Sequence, residues 1–264
     1  MGKELLGSLE LNRAYQMDCL EGMKLIPAGS VDMILCDLPY GTTACKWDTI
    51  IPFEPLWEQY ERIIKDNGAI VLTASQPFTS QLVNSKIELF KYEWIWIKSI
   101  VGGAFDAKNK PMKKHENVLV FSKGGIPTNS KNKMRYFPQG LLEIDKTVKN
   151  NKTMRANYGG DRPGLKDSYR QTKTGYPNSL LEFKNDTGLH PTQKPVELFE
   201  YLIKTYTNEG DTVLDNCLGS GTTAVACELN NRKWIGFETE KEYIEIINKR
   251  LDQIQVEDDL SKYE

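Results

Sequence analysis

The sequence predicts an α/β fold: a mostly parallel, doubly wound sheet of about seven strands with helices on both faces. Three observations predict it. Short apolar runs alternate with amphipathic stretches, as parallel strands do when crossover helices join them. One such run passes through a glycine-rich turn directly into a helical pattern, the form of a ligand-binding βα unit. The length of 264 residues suits one core with a sizeable insertion better than two independent domains.

Taken in order, Ala14–Met17 gives a weak strand signal, and Val31–Cys36, Ala69–Thr73, Glu93–Ile97 and Asn117–Phe121 give stronger ones. Trp94 and Trp96 alternate along the third of these and read as core packing. Between Gly124 and Thr187 the periodicity fades into polar sequence rich in Gly, Asn and Lys, which reads as an insertion. The chain therefore divides into residues 1–123, 124–187 and 188–264. After the insertion Pro195 stands where a first helical turn begins, and Glu197–Thr207 reads as helix. Thr212–Leu214 and Trp234–Phe237 are strands, separated by a helix that runs to about Asn230. Tyr243, Ile247, Leu251 and Ile254 share one face of a C-terminal helix and read as core.

Composition narrows the function classes. No run of about 18 uncharged apolar residues occurs and the first residues lack the apolar centre of a signal peptide, so a soluble, cytoplasmic protein without membrane contact is expected. The five cysteines form no C-x-x-C pair and only His115 and His190 could join them, so no metal site is expected. Free thiols in a reducing compartment fit this usage. The net charge of −2 conceals an asymmetry. Lys98 to Lys173 holds 17 Lys/Arg against 6 Asp/Glu, leaving 17 against 30 elsewhere. A basic block of this kind, interleaved with Tyr, Phe and Asn (Arg135-Tyr136-Phe137, Asn157-Tyr158, Ser168-Tyr169-Arg170), suits a polyanion such as nucleic acid. A merely solvated lysine-rich loop is the plainer alternative.

Two motifs carry chemistry. In Val213-Leu214-Asp215-Asn216-Cys217-Leu218-Gly219-Ser220-Gly221-Thr222-Thr223-Ala224 a strand enters a turn whose glycines let backbone approach a ligand, and the following helix offers unpaired N–H groups. Glu238, 17 positions after Gly221 at the end of the next strand, is placed to accept hydrogen bonds from both hydroxyls of a ribose. On this motif alone NAD and S-adenosylmethionine both fit. The second motif is Asp37-Leu38-Pro39-Tyr40, at the end of the apolar strand from Val31.

That second motif resembles the Asp-Pro-Pro-Tyr motif of DNA amino-methyltransferases, in the group where the catalytic motif precedes the glycine motif. Further similarity lies in Asp18-Cys19, in His115-Glu116 before Val118–Phe121, in His190-Pro191-Thr192-Gln193-Lys194-Pro195, and in Asp215 to Glu238. Leu38 stands in place of the first proline, and Asn216-Cys217 in place of the usual Pro-Phe. The resemblance implies a permuted, seven-stranded S-adenosylmethionine-dependent methyltransferase fold with a target-recognition insert, acting on double-stranded DNA. It also implies that a second copy of the chain and a cognate restriction endonuclease can be partners.

The expected roles follow. Asp37 and a backbone carbonyl at Leu38 or Pro39 accept the two hydrogens of an exocyclic amine, Pro39 fixes the backbone, and the Tyr40 ring supports an extruded base. Asp18, Asp215, Asn216, Cys217, Gly219, Ser220, Gly221, Thr222 and Glu238 are expected around S-adenosylmethionine, with Thr192 and Lys194 on its carboxylate. Arg135, Arg155, Arg162 and Arg170, with Asn157 and Gln171, are candidates for reading base edges, and Lys131, Lys133, Lys149 and Lys152 for phosphates. His115 receives no catalytic role. The favoured target is adenine N6. Cytosine N4 is the nearest alternative, although the resembling N4 enzymes more often carry Ser at the position of Asp37. Cytosine C5 chemistry needs a nucleophilic cysteine, usually after proline, and the sequence has no Pro-Cys pair. A protein-glutamine methyltransferase would begin the motif with Asn, and an NAD-dependent dehydrogenase would leave Asp37–Tyr40 without a purpose.

Overall fold

The structure, a computed structural model, describes residues 3–43, 48–150, 166–186 and 193–261. The chain opens with a short hairpin, β1 (Leu5–Leu6) and β2 (Leu9–Glu10), followed by β3 (Arg13–Gln16), α1 (Cys19–Lys24) and β4 (Val31–Asp37). Next come α2 (Phe53–Ile63), β5 (Ile64–Ala74), α3 (Phe78–Ser85) and the long pair β6 (Phe90–Gly102) and β7 (Lys113–Phe121). After β8 (Leu142–Lys149) and β9 (Ser168–Thr174), the chain adds β10 (Leu180–Phe183), α4 (Val196–Tyr206), β11 (Thr212–Asp215), α5 (Thr222–Glu228), β12 (Lys233–Glu238) and α6 (Lys241–Ser261).

One sheet has the order β10-β6-β7-β5-β4-β11-β12-β3, and only β7 runs against its neighbours. All seven strands expected from the sequence lie in it. The eighth, β10, was not expected and pairs in parallel with β6 at the edge. The strands β4 to β7 precede β11 and β12 in the chain, although β4 and β11 are neighbours in the sheet.

The period-two alternation of the strands explains why both faces are covered. Ile34, Cys36, Ile70, Leu72, Leu119, Leu214 and Phe237 face one core, shared with Met23 of α1, Leu56 and Tyr60 of α2 and Leu82 of α3. Their neighbours Met33, Leu35, Val71, Val118, Val213 and Trp234 face the other, with Leu198 and Leu202 of α4, Ala224 of α5 and Ile247 of α6. Trp94 and Trp96 are buried in this second core, as the sequence suggested, and Trp94 Nε1 donates to the Tyr206 hydroxyl at 2.7 Å.

The chain separates into two compact units, residues 1–137 with 179–264, and Pro138–Asn178. Parts of the stretch read as an insertion therefore belong to the larger unit: Met134 and Leu181 are buried in its core, and Ser179–Phe183 extends its sheet. The smaller unit contains β8 paired antiparallel with β9.

Candidate active site

In an open parallel sheet, ligands bind beyond the carboxyl ends of the strands, where the winding reverses. Here that point lies between β4 and β11. Asp37 closes β4, Asp215 closes β11 and Glu238 closes β12, all at one edge. A cavity of about 920 Å³ opens there. Its walls include Asp37, Leu38, Pro39 and Tyr40 together with Asp18, Lys194, Asp215, Asn216, Cys217, Gly219, Ser220, Thr222 and Glu238. Two motifs far apart in the chain thus share one space. Of the expected set, Gly221 shapes the turn without lining the cavity, and Thr192, Arg155, Arg162, Asn157 and Lys152 lie outside the described residues.

Asp37 is held on both oxygens. Oδ1 accepts from the Tyr40 hydroxyl at 2.7 Å and from the Thr73 hydroxyl, while Oδ2 accepts from Lys194 Nζ at 2.6 Å. Thr73 reaches it because β5 pairs in register with β4, setting Thr73 beside Asp37. Leu38 is buried, replacing a proline without opening the core. The Tyr40 ring stacks on Phe78 at 5.2 Å between centroids, and Lys194 Nζ sits 5.6 Å from its centre on a cation–π contact. The Tyr40 hydroxyl, expected to play no part, thus binds Asp37 directly. Burial and the neighbouring Asp37 charge push its phenol well above the usual range, so it remains a donor.

Lys194, expected on a cofactor carboxylate, is placed otherwise: its ammonium lies between Asp37 and Glu116, with Glu116 Oε2 at 3.5 Å. Burial alone would lower its pKa, but the two carboxylates outweigh burial and raise it, which keeps the charge. Glu116 is bound on its other oxygen by Lys98 at 2.7 Å. Burial pulls Glu116 upward, yet Lys194 and Lys98 bring it below the ordinary range. A partly buried chain of alternating charge, Asp37–Lys194–Glu116–Lys98, results.

The glycine motif is built by Asp215. Its Oδ1 accepts the Cys217 N–H at 3.0 Å and its Oδ2 the Thr223 hydroxyl at 2.5 Å, folding the turn back on the strand. Burial raises its pKa to about 6. Asn216 is fixed by the Tyr60 hydroxyl at 2.5 Å, and Arg250 ties the Ser220 carbonyl to α6 at 2.7 Å. Gly221 adopts φ +83°, and a Cβ there would lie 2.8 Å from Ile247, so only glycine fits. Glu238 Oε2 accepts from the Gly219 N–H at 2.8 Å, and Oε1 from the Thr239 and Glu240 N–H groups, at 2.8 and 2.9 Å. Asp18 is the N-cap of α1, accepting from Leu20 and Glu21 N–H, and lines the cavity as well.

Three thiols at this edge are pushed above their usual range. Burial lifts Cys36 to about 12; a hydrogen bond with Cys217, then burial, raises Cys19; and Cys217, lowered by Cys19, is held well above its usual value by Cys36 and burial.

Sequence reasoning passed over Thr73, Lys98, Asp48 and Tyr60. Asp48 had a readable signal, being a short polar residue soon after the catalytic motif: its carboxylate accepts the Gly41, Thr42 and Thr43 N–H groups and pins the loop. Arg135, expected to read bases, instead binds Asp32 at 2.9 Å and Asp211 at 2.6 Å. These two acids stand at the amino-terminal ends of β4 and β11, opposite the cavity, so this guanidinium braces the sheet. Lys131 and Lys133 are exposed on the larger unit, and in the smaller one Arg170 forms a two-point pair with Asp145 at 2.6 and 2.7 Å.

A family profile described as DNA methylase, covering N6 and N4 methyltransferases, matches residues 31–249. The chain belongs to this DNA methylase family. It is 30% identical over 259 residues to the DNA adenine methyltransferase YhdJ of Escherichia coli K12, covering 89% of this chain and 81% of that one. Similarity to the type II methyltransferase M1.MboII of Moraxella bovis is 27% over 264 residues, covering 94% and 99% of the two chains. Among solved structures, a complex of M1.HpyAVI with S-adenosylmethionine aligns with TM-score 0.60 and 25% identity over 90% of this chain and 98% of that one. The cytosine-N4-specific PvuII methyltransferase aligns at TM-score 0.63 and 17% identity, over 90% and 85%, and shares the fold. The protein is a DNA methyltransferase that uses S-adenosylmethionine. The site fits that cofactor. A Cβ at Gly219 would take up space in the cavity while touching only Cys217 O at 4.0 Å, the acidic Glu238 suits ribose hydroxyls, and the volume holds a nucleoside beside a base. No helix among the described residues is long and apolar enough to cross a membrane.

Proposed function

We propose that the chain methylates N6 of adenine in double-stranded DNA, on a base extruded from the helix into the cavity. The observation that carries this reading is Asp37, a carboxylate fixed on three donors at the edge of the cavity that the glycine motif also lines. An exocyclic amine is a poor nucleophile because its lone pair is shared with the ring. Asp37 accepts one amine hydrogen on a remaining lone pair, and a carbonyl of Leu38 or Pro39 accepts the other. The nitrogen is drawn toward tetrahedral geometry and charge developing on it is stabilised. When bound, S-adenosylmethionine supplies a sulphonium methyl open to in-line attack. Lys194 and Tyr40 keep Asp37 from turning away, and Lys194 stays charged because Asp37 and Glu116 share it. Glu238 accepts the ribose hydroxyls, and the glycine turn leaves room for the rest of the cofactor.

Adenine is favoured over cytosine N4 by the aspartate at position 37, where the resembling N4 enzymes more often have serine, and by the relative named an adenine methyltransferase. The unit Pro138–Asn178, with Arg170 and Gln171 on β9, is proposed to recognise the target sequence. Pairing with a second copy and with a cognate endonuclease belongs to the same reading. The test is to incubate the protein with labelled S-adenosylmethionine and DNA of mixed sequence, digest to nucleosides and identify the labelled one. N6-methyldeoxyadenosine is expected; N4-methyldeoxycytidine would assign the alternative, and an unlabelled digest would refute both.

A further inference from the structure

The segment joining β6 to β7 carries a feature that the transfer chemistry does not use. Lys98, Ile100, Val101, Gly102 and Lys113 line the cavity from the facing ends of the two strands, so this hairpin forms one wall. Beyond Gly102 the chain makes a built turn: Asp106 N–H bonds Gly103 O at 3.2 Å, Asn109 N–H bonds Asp106 O at 2.8 Å, and Lys110 pairs with Asp106 at 2.9 Å. On that turn Phe105 is fully exposed, at 106% of its reference surface, and Ile100 and Met112 are exposed by half or more. Burying a phenylalanine is normally favourable, so a ring held out on an ordered turn is poised for a partner. The charge of the segment names the partner's class. From Lys98 to Lys114 there are five lysines and one acid, Asp106. An apolar tip in such a setting suits a polyanion with apolar interior surfaces, which is what a nucleic-acid duplex presents.

We propose that the Gly103–Met112 turn is a wedge, with Phe105 entering the base stack as the target nucleotide leaves it and Lys108 and Lys114 meeting the flanking phosphates. Extruding a base leaves a gap and costs unstacking and unpairing, and an aromatic ring in that gap restores stacking. The position is apt because the turn begins one residue beyond the cavity wall on each strand. This rests on the reading of the cavity as a receptor for an extruded base, and wild-type transfer to a paired duplex tests that reading separately.

The experiment maps the methylated site with the wild-type protein, then compares Phe105→Ala and Phe105→Trp on two duplexes: one fully paired, one with an abasic position opposite the target. Phe105→Ala is expected to lower kcat/KM about 10- to 100-fold on the paired duplex and at most about 3-fold on the other. Phe105→Trp should stay near wild type on both. A 2-aminopurine at the target position should brighten on binding wild type, and much less on binding Phe105→Ala. The melting temperature should not change, since the ring packs against nothing. Equal losses on the two duplexes, no loss on either, or conversion of a wild-type dimer to monomers with an unchanged ratio between the duplexes would each overturn the wedge. Failure of the wild type itself to methylate either duplex would instead overturn the underlying reading.

Discussion

Three donors converge on Asp37: Tyr40, Thr73 and Lys194. The Tyr40 hydroxyl binds the carboxylate directly, so its loss should matter even when the ring remains. Tyr40→Phe is expected to lower kcat about 10- to 150-fold, in line with one hydrogen bond to a charged group, and Tyr40→Ala at least 10-fold further as the ring and its contact with Phe78 go too. Steady-state kinetics with saturating cofactor would check this; equal defects would show that the ring adds nothing. Asp215 offers a test by pH. Its folded pKa of about 6 lies above the ordinary value of 3.8 because it is buried. The folded state therefore holds an extra proton between about pH 4 and 6, and this contribution to stability is present below that window and lost as the pH rises through it. Asp215→Asn removes the effect. Relative to wild type, the variant should gain on the order of 3 kcal/mol between pH 4 and pH 7, read from denaturant melts at the two values. A constant difference would contradict the burial argument.

At the scale of elements, the glycine turn into α5 depends on one backbone conformation. Gly221→Ala would place a Cβ against Ile247 at a positive φ, so a loss of about 1–3 kcal/mol in stability is expected, with weakened cofactor binding as the turn shifts. Thermal melts and calorimetry would check both, and an unchanged melting temperature would mean the turn relaxes freely. The same scale explains what could be read from the chain. The stretches Met33–Cys36 of β4 and Ala69–Leu72 of β5 are buried on both faces and so appear as unbroken apolar runs. By contrast, β8 and β9 are exposed on most positions and show no apolar period, and β10 has four residues, of which Leu181 is the one fully buried. The site followed a similar division. Asp37 and Glu238 stand in local motifs, whereas Thr73 meets the site through the register of β5 on β4 and Glu116 through its ion pair with Lys194, pairings that one sequence does not specify.

For the molecule as a whole, the basic block from Lys98 to Lys173 turns out to serve more than one purpose. Arg135 braces the amino-terminal ends of β4 and β11, while Lys131 and Lys133 are exposed. Arg135→Ala should therefore destabilise the fold by about 1.5–3 kcal/mol, whereas Lys131→Ala and Lys133→Ala should leave the melting temperature unchanged and reduce the salt dependence of DNA binding by about one unit each. Melts and salt titrations separate the two classes, and an Arg135 variant with normal stability but altered site choice would return that residue to base reading. On the proposed mechanism Asp37 acts in methyl transfer, while S-adenosylmethionine binds without it. Asp37→Ala measured side by side in calorimetry and in methyl transfer tests it most directly. S-adenosylmethionine affinity within severalfold of wild type and no detectable transfer to DNA are expected; near-normal turnover in that variant would contradict the role of Asp37.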